Sequence, residues 1–294
     1  PLPPLPPLPA RSTTTPMNAP LIDPFARAIT YLRVSVTDRC DFRCVYCMAE
    51  DMTFLPKADV LSLEELFQVG SAFVKLGVRK IRLTGGEPLV RKNTPELAAR
   101  LAALPGIDDL SLSTNATRLD KQATALRKAG ISRINVSLDS LQAERFKQIT
   151  QGKLDKVLTG LMAAKDAGFT PIKINMVVMA GVNDDEVEDM VEFCIEHDFT
   201  LRFIETMPVG DMGREASNNY VDLQQIKQRL QQRFELVPGV MPGGGPARYM
   251  RVADTDITIG FITPMSQHFC ATCNRVRLSV DGTIYTCLGQ EHNF

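Results

Sequence analysis

The sequence predicts an α/β protein: a partial (β/α)6 barrel of TIM-like type followed by a C-terminal extension. Three observations carry this. From residue 31 to about 205, a short β-rich run, a turn and a helical run recur, and repeated βα units imply a parallel sheet with its helices outside. Polar or ionisable residues recur at the carboxyl ends of these runs, at 84–87, 113–115, 137–139 and Glu205. Barrels build active sites at that end, which favours a barrel over an open doubly wound sheet. Finally, 294 residues with 44% hydrophobic content can bury one large core or two smaller ones.

The elements follow in order. Residues 1–19 form a Pro-rich segment that reads as disordered, because PLPPLPPLPARSTTTP favours polyproline II and cannot build a core. Residue 1 is proline and Met17 fits an initiator, so this head reads as a tag, a linker or a mis-assigned start. An organellar presequence is the less favoured reading, since no amphipathic helix is present. The barrel is placed at 20–207, with strands expected at 32–36, 80–84, 109–113, 133–138, 172–178 and 201–204. Helices with apolar residues three and four apart are expected at 63–76 and 187–197 among others. Ser62 with Glu65 reads as a capping box, Pro95 as a first-turn proline, and Gly77, Gly130 and Gly168 as helix stops. The extension is placed at 208–294 and is expected to close one side of the barrel. It holds a polar helix at 223–234, a Gly/Pro-rich loop at 238–246, and strands at 249–252, 257–261, 275–280 and 283–286. Asp281-Gly282 marks a hairpin between the last two.

Composition excludes several classes. Thirty-three Lys and Arg against 34 Asp and Glu give a net charge of −1, so a general nucleic-acid-binding face is not implied. No apolar run reaches membrane-spanning length. The absence of a secretory hydrophobic region points to a reducing compartment, with a bacterial-type cytoplasm favoured over an organellar matrix. Seven cysteines, six of them in two groups, point to metal or redox chemistry rather than a disulfide scaffold. The seventh, Cys194, sits mid-helix and reads as a core thiol.

Cys40, Cys44 and Cys47 form a Cys-x3-Cys-x2-Cys loop just after the first strand. Three thiolates on one loop can hold three irons of a four-iron cluster and leave the fourth open. A structural zinc site would need a fourth ligand, and none is local. A chance group of core cysteines is the bland alternative. The spacing, with Tyr46 before the last cysteine, resembles the signature of radical S-adenosylmethionine enzymes. Gly85-Gly86-Glu87-Pro88 after the second strand resembles that superfamily's GGEP motif, which receives the methionine amino group. Two glycines admit close approach of a ligand, and an acid can pair with an ammonium.

Cys270, Cys273 and Cys287 make a second triad, with Cys287 folded back by the expected hairpin. A second Fe–S cluster with an open iron is the sharper reading; a zinc site completed by His268 is the alternative. Arg275 and Arg277 lie two apart on one strand and so share a face. Arg33, Lys80, Arg82, Lys173 and Arg202 lie in or beside strands where an apolar interior is expected. Cations at such positions need anionic partners, which points to a bound nucleotide.

From Leu32 to Cys287 the chain resembles the MoaA family of GTP 3′,8-cyclases, lyases of the first step of molybdenum cofactor biosynthesis. The segments LRVSVTDRC, IRLTGGEPL, INVSLDS, LRFIETMPVG and CATCNRVRLS carry the match. The resemblance implies conversion of GTP to its 3′,8-cyclised dihydroguanosine triphosphate by a 5′-deoxyadenosyl radical. It implies two [4Fe-4S] clusters, on Cys40, Cys44 and Cys47 and on Cys270, Cys273 and Cys287. It implies S-adenosylmethionine contacts from Tyr46, Gly85, Gly86, Glu87, Ser137 and Met207. It implies GTP contacts from Arg33, Arg82, Ser113, Lys173, Arg275 and Arg277, with Lys80 and Arg202 as helpers. The partners implied are a flavodoxin- or ferredoxin-type reductant, cyclic pyranopterin monophosphate synthase downstream, and a second copy of the chain; nucleic acid and membrane are not among them. Two departures stand out. The family's TTNG is Ser113-Thr114-Asn115-Ala116 here, which implies that positive φ is not required at Ala116. The family's Gly-Gly tail has no counterpart before Phe294. The alternatives are a radical enzyme with an auxiliary cluster acting on a peptide or other small molecule, and a non-catalytic Fe–S or zinc protein that binds nucleotide.

Overall fold

The computed structural model describes residues 20–23, 26–241, 245–268 and 270–287, with Cys270 described by its backbone alone. The expected Pro-rich head and the segment after Cys287 lie outside the described residues. Six strands pair in parallel in sequence order: β1 (Tyr31–Ser35), β2 (Lys80–Thr84), β3 (Asp109–Thr114), β4 (Arg133–Ser137), β5 (Ile172–Val178) and β6 (Thr200–Glu205). Between them run α1 (Leu63–Lys75), α2 (Thr94–Ala102), α3 (Leu119–Lys128), α4 (Ala143–Thr150), α5 (Leu154–Asp166) and α6 (Val187–His197). This is the open, partial (β/α)6 barrel that the repeat predicts.

Local chemistry sets the boundaries. The Ser62 hydroxyl accepts from the Glu65 amide at 3.1 Å, and the Glu65 carboxylate accepts from the Ser62 amide at 2.7 Å, closing the capping box of α1. Gly77, Gly130 and Gly168 stop α1, α3 and α5 with φ of +98°, +92° and +79°. Cys194 is fully buried in α6, and burial pushes its thiol pKa up, in keeping with an inert core thiol.

The extension departs from expectation. After α7 (Gly210–Ala216) and α8 (Leu223–Leu230), β7 (Leu236–Gly239), β8 (Arg248–Val252) and β9 (Thr258–Ile262) form a meander. Strand β9 pairs in parallel with β6, whereas β10 (Arg275–Leu278) pairs in parallel with β1 at the far edge, followed by β11 (Ile284–Tyr285). The extension therefore lines both edges of the sheet rather than one side, in the order β11-β10-β1-β2-β3-β4-β5-β6-β9-β8-β7. The physical reason is that an unclosed six-stranded sheet leaves unpaired amides and carbonyls on both β1 and β6. Strand β7 also replaces the start of the expected loop. Pro238 is tolerated there because β7 is the outermost strand.

The sheet has two chemically distinct faces. Leu32, Val34, Ile81, Leu83, Leu110, Leu112, Ile134, Val136, Ile174, Leu201 and Phe203 are buried and belong to the main core. The alternate positions of the same strands carry Arg33, Arg82, Ser111, Arg133, Asn135, Lys173 and Arg202. A period of two divides each strand between an apolar face and a polar one.

Ala116 corrects one expectation. Its φ is +67°, so the left-handed turn after β3 is kept although glycine is absent. An L-residue there carries roughly 1 kcal/mol of strain. Ala116→Gly is expected to leave stability unchanged or raise it by up to about 1 kcal/mol, the relief being partly offset by the extra freedom of glycine in the unfolded chain. Urea unfolding measures this, and a clear loss would show that the buried methyl outweighs the strain.

Candidate active site

The first thiol loop leaves β1 and is held from three sides. Arg43 and Val45 donate their amides to the Thr150 and Ile149 carbonyls at the end of α4, both at 2.9 Å. Phe42 packs edge-on against Phe146, with ring centroids 5.8 Å apart, and Gly152 makes room for it, since a Cβ there would fall 2.3 Å from the Phe42 ring. The Tyr46 hydroxyl donates to the Asp139 carboxylate at 2.7 Å, beyond the end of β4. Within the loop the Cys47 amide donates to the Cys44 carbonyl at 2.9 Å, and the Phe42 amide points at the Cys40 sulfur at 3.3 Å. All three cysteines are free thiols, Cys40 and Cys44 half-buried and Cys47 exposed. Burial pushes the Cys40 thiol up to about 11 and raises those of Cys44 and Cys47.

Gly85 and Gly86 are expected to admit a ligand; the structure gives them a different close neighbour. A Cβ at Gly85 would lie 2.3 Å from the Thr37 carbonyl oxygen, and one at Gly86 would lie 2.3 Å from that of Arg39. The Gly86 and Glu87 amides donate to those carbonyls at 2.7 and 2.8 Å. The two glycines thus let the strand leading to Cys40 lie directly on the β2 turn. The Glu87 carboxylate is 1% exposed and accepts from the Leu89 amide at 2.9 Å, the Asn115 amide at 2.6 Å and the Thr114 hydroxyl at 2.7 Å. Burial outweighs these donors and pushes its pKa up to about 7. Through these donors the carboxylate ties the β2 and β3 ends together.

The polar face assembles the expected cations. In register, Arg277, Arg33 and Arg82 lie side by side on β10, β1 and β2, and Lys80 and Arg275 both flank Tyr31. One step further, Asn135 pairs with Lys173 and Asn175 with Arg202. Ser113 sits opposite Asn135, whose amide reaches its hydroxyl at 3.4 Å. Lys173 is 2% and Arg202 6% exposed. Burial, then the neighbouring Arg202, Arg133 and Arg82, lowers the Lys173 ammonium to about 7. Arg202 is lowered to about 10, chiefly by burial. Arg33 is depressed by burial and by Arg277 and Arg82, and Arg82 and Arg277 are also lowered. Among the described residues, Nε of Arg33, Nε of Arg202 and Oδ1 of Asn175 are buried without a hydrogen-bond partner. Crowded cations with orphaned donors leave charge and hydrogen-bonding capacity that an anionic ligand could satisfy.

Ser137 lies half-buried at the end of β4, opposite Asn175. Met207 follows β6, its carbonyl accepting from the Val209 amide at 2.8 Å and packing against Gly213 of α7. The β10–β11 hairpin turns at Gly282, φ +93°, and pairs Arg277 with Tyr285, which returns Cys287 toward Cys273. Cys273 is half-buried and Cys287 exposed, both free; the Cys270 side chain lies outside the described residues. His268 directs Nδ1 at the Pro264 carbonyl, 2.9 Å away.

Sequence reasoning missed four contributors. Arg133 and Asp109 form a bidentate pair on the polar face. Tyr31 and Tyr249 frame the cations, with the Arg82 guanidinium 5.5 Å and the Lys173 ammonium 5.6 Å from their ring centroids. Strand parity is the signal that could have found three of them: Tyr31 with Arg33, Arg133 with Ser137 and Asp109 with Ser113; Tyr249 comes from the extension and carries no such signal.

The donor set fits Fe–S ligation better than a single ion. Among the described residues, no three His, Cys, Asp or Glu side chains gather as they would around one metal ion. Ligands of a four-iron cube sit at its corners, farther apart. Three free thiols on one short loop, with an amide already aimed at one sulfur, suit the ligand set of an Fe–S cluster. No described helix is long and apolar enough to cross a membrane.

Comparison with known proteins agrees with this geometry. The radical SAM superfamily profile matches residues 34–194, and that of Molybdenum Cofactor Synthesis C matches 199–294. A protein of Pseudomonas putida (strain W619) named GTP 3′,8-cyclase is 54% identical over 276 residues, which cover 93% of this chain and 83% of that one. A namesake from Pseudomonas syringae pv. syringae is 52% identical over the same shares. Among solved structures, Streptococcus suis SuiB bound to its precursor peptide SuiA superposes with a TM-score of 0.63 at 18% identity. It covers 91% of this chain, which spans 62% of that structure's length, and the likeness is one of fold. The paired family profiles, the relatives matched over nearly the whole chain and the polar-faced parallel sheet lead to one conclusion: the chain belongs to the radical S-adenosylmethionine superfamily and, within it, to the GTP 3′,8-cyclase family.

Proposed function

We propose that this chain converts GTP to the 3′,8-cyclised dihydroguanosine triphosphate, the first step of molybdenum cofactor biosynthesis. The observation that carries the reading is the row of Arg277, Arg33 and Arg82 with Lys173 and Arg202 beside it, on the face between the two cysteine segments. That row suits a triphosphate and not a peptide. Cys40, Cys44 and Cys47 would hold one four-iron cluster, and Cys270, Cys273 and Cys287 another. Together with S-adenosylmethionine, these groups supply the radical chemistry, which belongs to the cofactors.

The chain's own residues bind, orient and exclude water. The backbone at Gly85 and Gly86, with Tyr46, Ser137 and Met207, would border S-adenosylmethionine, while Glu87 acts from behind by fixing the β2 and β3 ends. Arg33, Arg82, Arg275 and Arg277 would take the phosphates with Lys80 and Lys173, and Ser113 and Arg202 would complete the pocket. A flavodoxin- or ferredoxin-type protein as reductant, cyclic pyranopterin monophosphate synthase as the next enzyme, and a homodimer complete the proposal. The domain division at 207/208 also belongs to it.

Anaerobic reconstitution is expected to give about eight irons per chain, for two four-iron clusters. With dithionite, S-adenosylmethionine and GTP, 5′-deoxyadenosine should form only when GTP is present. Two zincs and no iron, or no GTP-dependent 5′-deoxyadenosine, would reject the proposal.

The Lys173 pKa near 7 predicts a pH dependence. A triphosphate favours the ammonium, so GTP binding above neutral pH takes up a proton. Affinity should fall as pH rises above about 7, by up to roughly tenfold per unit. The sign for folding is opposite. The folded pKa lies below the unfolded value of about 10.4, so this group's contribution to ligand-free stability rises with pH across that window. Calorimetry in buffers of different ionisation enthalpy should show close to one proton taken up near pH 8. Equal uptake by Lys173→Met would assign the proton elsewhere.

A further inference from the structure

Glu205 ends β6 and is 1% exposed. One carboxylate oxygen accepts from the Met265 amide at 2.8 Å and the Ser266 amide at 3.1 Å. The other accepts from the Ser266 hydroxyl and, at 3.3 Å, from the Tyr220 hydroxyl. Consecutive backbone amides aimed at one buried oxygen hold a chain segment more tightly than side-chain contacts do, because the segment cannot move without stranding two donors.

The segment so held is a turn. Gln267 donates its amide to the Thr263 carbonyl at 3.2 Å, and His268 reaches back to the Pro264 carbonyl. Two residues beyond His268 come Cys270 and then Cys273. On its other side, Glu205 is two residues from Met207. A single buried carboxylate therefore links the carboxyl end of the barrel strands to the start of the second cysteine segment. Its charge has no cationic partner among its hydrogen bonds; the four donors replace one.

We propose that Glu205 is a positioning residue for the second thiol triad: it fixes the turn at 263–268, from which Cys270 and Cys273 depart, and through it the place where that triad meets the nucleotide. This rests on the reading of Cys270, Cys273 and Cys287 as cluster ligands. Glutamine could keep all four contacts, its carbonyl oxygen accepting from the amides and its NH2 donating to the hydroxyls, whereas leucine keeps most of the volume and strands both amides.

The test compares Glu205→Leu and the milder Ser266→Ala with the parent chain. In cluster-free protein, hydrogen exchange at the Met265 and Ser266 amides should speed at least tenfold in Glu205→Leu, with exchange in β1 to β4 unchanged. After anaerobic reconstitution in a background with Cys40, Cys44 and Cys47 changed to alanine, GTP should shift the remaining cluster's paramagnetic resonance signal when Glu205 is present and should not in Glu205→Leu. In chains with all six cysteines, the KM for GTP should rise at least tenfold with little change in that for S-adenosylmethionine. Ser266→Ala should move each readout the same way by less, and it decides the matter if Glu205→Leu does not fold. Unchanged exchange together with a normal GTP-induced shift would overturn the proposal, as would equal loss of exchange protection in β1 to β4. If Cys270→Ala, Cys273→Ala and Cys287→Ala together leave the iron content of the parent chain intact, the ligand reading itself fails, and the proposal with it.

Discussion

Replacing Arg33 by methionine is expected to stabilise the ligand-free protein while weakening GTP binding by two to three orders of magnitude. The two effects share one cause. Arg33 lies between Arg277 and Arg82 in register, its Nε is buried without a partner, and burial and both neighbours depress its pKa. Without a ligand this is a cation the fold would be better without, and exchanging buried charge for an apolar side chain of similar length is often neutral or stabilising by about 1–4 kcal/mol. With a triphosphate bound, the same cation becomes a charge-assisted donor. Truncating one partner of such a buried pair costs about 2–5 kcal/mol, or roughly 30- to 5,000-fold in affinity. Thermal unfolding without ligand and calorimetry with GTP measure the two halves. Arg79→Met is the control, since Arg79 lies just before β2 and its ion pair with Asp108 is exposed, and it should change neither. A fall in ligand-free stability in Arg33→Met would mean that the cation row is internally neutralised and is not an anion site.

Gly86→Ala is expected to disable the first thiol loop. The added Cβ would lie 2.3 Å from the Arg39 carbonyl oxygen and 2.7 Å from that of Asp38. Both obstacles are backbone, so neither can swing aside as a flexible side chain would. The chain entering Cys40 must move away from the β2 turn, breaking the hydrogen bonds that the Gly86 and Glu87 amides donate to the Thr37 and Arg39 carbonyls. Overpacking typically costs about 1–3 kcal/mol, and the loss of two hydrogen bonds places this variant at or above the upper end. A melting temperature lowered by roughly 5–10 °C is the expected scale. Iron bound at the first triad should fall disproportionately, because the displaced segment carries Cys40. Full iron content with a wild-type melting temperature would show that the loop relocates freely. Gly168→Ala is a useful contrast: its Cβ would meet nothing within 4 Å, and its φ of +79° leaves only backbone strain.

Much of this was legible in the chain itself. The six strands of the barrel fall within a residue or two of the expected bounds, since β-rich runs, capping residues and stop glycines act over a few residues. The cation set was legible for a related reason: charges recurring in otherwise apolar strands demand a partner wherever the strands end up. The tie that Glu87 makes to β3 was not legible, because its motif specifies an acid but not which backbone and hydroxyl donors meet it. Ala116 was misread because an alanine was taken to mean that positive φ is not required there, whereas the surrounding structure holds it in the left-handed turn at modest strain. Arg133 went unnoticed because its partner Asp109 belongs to another strand, 24 residues away.

The sequence alone determined the repeat, the parallel sheet, the two cysteine groups and the polar parity of the strands, because periodicity and spacing are local properties of a chain. Only the tertiary structure decided that the extension splits to both edges of the sheet. It alone set Arg277 from the end of the chain beside Arg33 from its beginning, and turned Glu205 into the tie beneath the second thiol segment. Those outcomes depend on which unpaired edges and buried donors meet across long stretches of chain, and no short window of sequence contains both partners.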